Sequence, residues 1–430
     1  MKRRSALLGA LVAVSLLAAC SSTEPEEPAT GSGDNTSSEQ PAEEVELDFA
    51  IFSEDQKPAI EQVVAAFEEE NPNIHVTLQV IPWVDYWNTL QTIASGGTGP
   101  DVAWMLGARL GPYVEGGVLL PLDDAIAEAG IDLSGYPEPL VELYQRDGAT
   151  YALPKDFDTI GLWYNKALFD AKGVAYPTPD WTWDDVAENA RALTDPAAGV
   201  YGIAAPLDPQ PGYYNTIYQA GGYVISEDKA TSGYDLPGSI EGIQYWTDFV
   251  AEGLSPDLAS FADTEAVAQF MSGKIAMMYT GSYYALRFAN DEYASANFDV
   301  TELPKGPVND ATIINGLGNV AFASSDHPAE AAKLAVFLSS PKASEIQSAT
   351  GAVLGSYEGT QQAWVDYFPT FNAQVFLDMV SSSVVYPVSD NTDAWASRES
   401  EFLTPAWTGE QSAEQAATAL AAAMNEALSE

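Results

Sequence analysis

The chain has 430 residues, with 62 Asp and Glu against 17 Lys and Arg and a formal net charge of −45. A surface of that sign repels phosphates and anionic headgroups, which argues against nucleic-acid binding and reads as solubility, suited to a saline habitat where salt screens the repulsion. Two histidines and one cysteine exclude an intrachain disulfide and leave no ligand set for zinc or another soft metal. No calcium-loop spacing is present either, so neither a metal nor any other cofactor is expected.

In chain order, Met1 to Arg4 is basic, Ser5 to Leu17 is apolar, and Leu17-Ala18-Ala19-Cys20 follows. This is the layout of a secretory signal over 1–19. The apolar run is short of the roughly 20 residues that a membrane-spanning helix needs. The lone Cys20 stands where the lipobox of bacterial lipoproteins places its acylated thiol, so a lipid anchor on the outer face of the cell membrane is expected. Two acyl chains, at about 0.8 kcal/mol per buried CH₂, hold stably where one does not. Arg3-Arg4 leaves Sec or twin-arginine export open. The stretch 20–44, rich in Ser, Thr, Glu, Pro and Gly, reads as a lipidated cysteine followed by a disordered acidic tether.

About 390 residues remain, enough for two lobes. Glu46 to Phe52 reads as a strand. Pro58 suits a first helical turn, and Ile60, Val63, Val64 and Phe67 share one helical face up to Asn71-Pro72. Ile74, Val76, Leu78 and Val80 alternate as a strand; Trp87, Leu90 and Ile93 mark a second helix; Asp101 to Met105 is a third strand. Strand, helix, strand, helix, strand implies a parallel sheet covered by helices, with ligands bound beyond the carboxyl ends of its strands. A second α/β block opens with the strand Leu162–Tyr164. Thr182 and Asp185 form a capping-box pattern, and the helix runs to about Leu193. Further helices are read at 240–250, 265–271, 329–338 and 410–428, and a strand at 273–279.

Several segments carry a family resemblance through their order. They are Gly99-Pro100-Asp101-Val102, Tyr113 to Asp123, Tyr151-Ala152-Leu153-Pro154, Leu162 to Phe169, Trp181 to Asp185, Phe270 to Met277, Leu303 to Pro307 and Glu330-Ala331-Ala332-Lys333. Taken together they resemble the extracellular solute-binding proteins of carbohydrate ABC importers, including the maltose-binding type. One departure is the run Gly351 to Ser356, where family members often carry a proline. The resemblance implies a two-lobed type II periplasmic-binding-protein-like fold of α/β class, with discontinuous lobes joined by a hinge around a ligand cleft. By analogy the lobes are 45–154 plus 304–340 and 155–303 plus 341–430. It further implies a monomer that hands a captured sugar to a membrane permease, without catalysis.

A sugar needs aromatic faces for its C–H surfaces and planar polar groups for its hydroxyl rim. The loops expected at the cleft offer Glu54, Asp55, Trp83, Asp85, Trp104, Asp156, Asp158, Tyr214, Asn215, Tyr283, Asn315, Gly316, Trp395 and Arg398. Asn315-Gly316-Leu317-Gly318 reads equally well as a simple turn, and Trp163, Trp181, Trp183 and Trp246 as packing residues. Two rival readings remain at this level: the same fold holding a polyamine or another small solute, and a secreted glycoside hydrolase working with two of the many carboxylates.

Overall fold

A computed structural model describes residues 44–96 and 99–429. The signal segment, Cys20 and the tether up to residue 43 lie outside the described residues, as do Gly97, Thr98 and Glu430. Among the described residues no helix is long and apolar enough to cross a membrane, and no group of His, Cys, Asp and Glu is arranged to hold a metal ion.

Two sheets organise the chain. In the first, Val45–Ile51 buries Val45, Leu47 and Phe49 by alternation and then Ala50 and Ile51. It pairs in parallel with Ile74–Val80 along its whole length and with Val102–Leu106 on its other side. The helix Lys57–Glu70 makes the crossover, burying Ile60, Val63 and Phe67 and ending at Asn71. This unit matches the expected pattern. The sheet then continues with antiparallel strands: Leu317–Ala321 pairs with Val102–Leu106, and Leu153–Pro154 closes the edge. Leu317–Ala321 is therefore a strand where the sequence also allowed a turn.

The second sheet is mostly antiparallel, in the order Phe298–Thr301, Ile160–Asn165, Ile275–Gly281, Tyr201–Ile203. Both central strands are buried along their whole length. Trp163 packs its ring 4.8 Å from Phe288 and 5.2 Å from Phe371. The helix Trp183–Leu193 starts at the expected capping box: Thr182 N donates to Asp185 Oδ2 at 2.7 Å, and Asp185 N donates to Thr182 Oγ1 at 3.4 Å. Two C-terminal helices, Thr392–Trp407 and Ala413–Leu428, pack against each other beside the helix Pro237–Ala251.

Three stretches of chain run side by side between the sheets. Lys155 N donates to Leu317 O at 2.7 Å, and Asp158 N donates to Asn315 O at 2.8 Å. Asp156 and Phe157 pair with Gly355 and Leu354. A Cβ added at Gly316 would stand 2.3 Å from Asp156 O, so the close approach of the first two stretches requires glycine there.

Replacing Trp163 by Ala empties the centre of the second sheet's core. Chemical denaturation is expected to show a loss of about 3–5 kcal/mol.

Candidate ligand-binding site

A cleft of about 770 Å³ opens beyond the carboxyl ends of the first sheet's strands. One wall comes from the helix Trp83–Gly96 (Trp87, Asn88) and from the segment after Val102–Leu106 (Arg109, Tyr113). The facing wall comes from Pro209 and Tyr213, from Tyr386, and from Asp393, Ala396 and Glu399 on the helix Thr392–Trp407. That helix turns Asp393, Ala396, Ser397 and Ser400 toward the cleft, the three- and four-residue spacing of one helical face.

Polar groups span the cleft. Arg109 Nη1 lies 3.5 Å from Asp393 Oδ1, and the Arg109 guanidinium sits 4.9 Å over the Trp87 ring. Burial raises the Asp393 carboxyl above the usual range, with Arg109 opposing the shift. Burial also pushes the Tyr113 hydroxyl up to about 12. Trp87 Nε1 is buried and has no hydrogen-bond partner among the described residues. Glu399 accepts hydrogen bonds from Tyr213 at 3.0 Å, from Tyr214 at 2.6 Å and from Tyr234. Burial pushes its carboxyl up to about 7, against the pull of those hydroxyls.

A second polar cluster lies at the crossing stretches. Lys155 is buried, bonded to Asp156 and to Gln56 Oε1 at 3.2 Å, with its ammonium 4.4 Å over the Trp104 ring. Burial lowers the Lys155 pKa, and Asp156 opposes that. Asn315 Nδ2 donates to Gln210 Oε1 at 3.0 Å, and Gln210 Nε2 donates in turn to Asp158. Desolvation, followed by the charge of Asp156, raises the Asp158 carboxyl well above its ordinary value. Asp208, which has no cation partner, is pushed up to about 6 by burial.

The expected site residues fall into three groups. Asp156, Asp158, Asn315 and Gly316 are brought together at the crossing stretches, and Tyr283 faces Asp158 and Asp208. Glu54, Asp55, Trp83 and Asp85 stand exposed on the first-sheet side, where Trp83 packs edge-on to Phe52 at 4.9 Å; Asp55 acts across the gap on Tyr284. The rest serve the interior. Trp104 is fully buried within its strand, 5.0 Å from Phe52. Asn215 is fully buried and binds Gly212 O, Gln210 O and Ile313 N. Tyr214 stands behind the cleft wall, bonded to Glu399 and packed on Tyr386, and Trp395 donates inward to Ser389 Oγ at 2.8 Å. Arg398 is half-buried on the same helix and does not line the cleft.

The sequence profile of the bacterial extracellular solute-binding proteins matches residues 53–345. The chain belongs to that family. Binding proteins of Brucella abortus are 29% identical over 273 residues, which cover 62% of this chain and 64% of their own length. The chain thus spans just under two thirds of these relatives. A galactooligosaccharide-binding protein of Bacillus subtilis is 27% identical over 66% of this chain and 67% of its own. Among solved structures, an ABC substrate-binding protein from Listeria monocytogenes in complex with cycloalternan superposes with a TM-score of 0.83, at 28% identity, over 89% of this chain and 99% of that one. The fold of this solute-binding protein is accordingly the two-lobed type II form.

Sequence reasoning missed Trp87, Arg109, Tyr113, Tyr386, Asp393 and Glu399 as cleft residues. A helical phase carried through 392–407 separates Asp393, with Ala396, Ser397 and Ser400, from Trp395 and was the available signal for Asp393; Glu399 shares the face of Trp395, so phase gave no signal for it.

In this solute-binding protein the Lys155–Asp156 pair is a buried ion pair whose halves depend on each other. Lys155→Met leaves Asp156 with an uncompensated charge and is expected to cost about 3–5 kcal/mol in chemical denaturation. Adding Asp156→Asn should restore part of that loss.

Proposed function

We propose that the protein is the sugar-capturing component of an ABC importer, held to the outer face of the cell membrane through acylated Cys20. In this reading it closes its lobes around a saccharide and presents the closed form to the permease, as a monomer and by binding alone. The observation that carries the reading is the composition of the cleft: aromatic rings on both walls, Trp87 and Tyr113 facing Tyr213 and Tyr386, with the polar groups of Arg109, Asp393 and Glu399 among them. Rings receive the C–H faces of a sugar, and its rim of hydroxyls can bond to carboxyl, guanidinium and hydroxyl groups set among them. The volume falls within the roughly 300–1,000 Å³ of small-ligand clefts. The oligosaccharide named for the B. subtilis relative and the cycloalternan of the Listeria complex support the same class. We place the hinge at the three crossing stretches, 154–158, 315–317 and 354–356, because so few segments cross and each is short.

A polyamine is the second reading: Asp208, partly buried beside the cleft residue Pro209 and with its carboxyl pKa held by desolvation at about 6, would welcome an ammonium group. A hydrolase is the third, through the pairing of carboxyls that any such acidic cleft offers.

At roughly −0.3 kcal/mol per heavy atom, a disaccharide of about 23 such atoms reaches about −7 kcal/mol, a dissociation constant on the order of 10 µM. A thermal-shift screen of the mature chain against mono- and oligosaccharides, polyamines and phosphosugars tests the ligand class. A ligand at 100 times its dissociation constant adds about 2.7 kcal/mol of stability. Stabilisation by saccharides is expected; stabilisation by polyamines alone would replace the ligand, and release of reducing sugar on prolonged incubation would replace binding with catalysis. For the anchor, Cys20→Ala is expected to release the protein from membranes on fractionation. Wild-type membrane retention of that variant would end the lipoprotein reading.

A further inference from the structure

Glu399 is a buried carboxyl on a cleft wall with no cation among its partners, and its two oxygens are loaded unequally. Oε1 accepts from both Tyr214 and Tyr234, whereas Oε2 accepts only from Tyr213, at 3.0 Å. Tyr213 itself lines the cleft beside Glu399. An added proton therefore settles on Oε2, since both lone pairs of Oε1 are already engaged. The new Oε2–H then donates to the Tyr213 oxygen, and the Tyr213 hydroxyl hydrogen, no longer held by a carboxylate, is free to turn into the cleft.

Resting on the sugar-binding reading, we propose that Glu399 and Tyr213 form a proton-dependent face of the cleft. With Glu399 ionised, Tyr213 offers a bound hydroxyl only an acceptor. With Glu399 protonated, it offers a donor. Glu399 is the titrating group and Tyr213 the contact, so Glu399 acts as a positioning residue.

The change falls within an accessible range, because burial holds the Glu399 carboxyl at about 7. The other titratable groups at this wall are identifiable. Tyr386 stacks near Tyr214 with rings 5.3 Å apart and feels Asp208 and Arg109. Asp393, on the Glu399 helix, is engaged with Arg109, and Arg398 is the next residue along. The two helices packed alongside bury only uncharged residues: Ala416, Ala417, Leu420 and Ala421 from one, Ile243 and Trp246 from the other.

The test compares wild type with Glu399→Gln and Tyr213→Phe, first without ligand. The ultraviolet difference spectrum of tyrosine is recorded between pH 5.5 and 8.5. Wild type is expected to show a step centred near neutrality that Glu399→Gln lacks and Tyr213→Phe reduces. In melting experiments the wild type should lose stability relative to Glu399→Gln as pH rises from 5 to 8, since a raised carboxyl pKa makes the folded state the stronger proton binder over that interval. With maltotriose as the saccharide probe, the wild-type dissociation constant should change by about three- to tenfold between the two pH values, the worth of one hydrogen bond. Both variants should lose most of that change. A Glu399→Gln protein that keeps the full wild-type spectral step overturns the proposal. A spectral step without maltotriose binding would leave the proton switch standing and count instead against the sugar reading.

Discussion

Two short stretches of chain run side by side as a strip of backbone between the two sheets, and a third, Leu354-Gly355, pairs with the first of them. Their mutual hydrogen bonds, Lys155 N to Leu317 O and Asp158 N to Asn315 O, leave no room for a side chain at Gly316. Lys155 fixes the strip from below. Its ammonium is buried, neutralised by Asp156 and lodged against Trp104 of the first sheet. A strip of this kind is the feature that the proposed closure of the lobes would use.

The same strip carries a linked set of polar groups: Asp158 follows Lys155 by three residues, and Asn315 reaches it through Gln210. The overall charge of −45 does not by itself set the character of the cleft. What matters locally is that Glu399 has only hydroxyl partners while Arg109 already has an acidic partner in Asp393. A carboxyl held half-dry without a cation is costly to ionise. A ligand rich in O–H donors repays that cost on entry, and a phosphate does not.

Much of the fold was legible because strong periodicity and local capping agree with the tertiary structure. Ile60, Val63, Val64 and Phe67 face inward as their spacing implies, and Thr182 with Asp185 caps the helix it precedes. Leu317–Ala321 was obscured by Gly316 and Gly318, which serve close packing: a Cβ at Gly318 would lie 3.0 Å from the Tyr144 ring. The site was less legible. None of the residues singled out from the sequence lines the cleft, although segments that follow the strand ends, as topology indicates, form one of its walls. Trp395 looked as suitable as any tryptophan but lies on the inward side of its helix, whereas Asp393, on the opposite side, lines the cleft. Composition identifies sugar-like chemistry; only helical phase and the distant juxtaposition of Arg109 with Asp393 say which residues supply it.

The central claim is that a saccharide is captured by closure of the two lobes about the crossing strip. Small-angle X-ray scattering of the mature chain, titrated with mono- and oligosaccharides, addresses it most directly. The radius of gyration is expected to fall to a saturating, more compact value with the saccharide that binds. A scattering profile unchanged at saturation would contradict capture by closure.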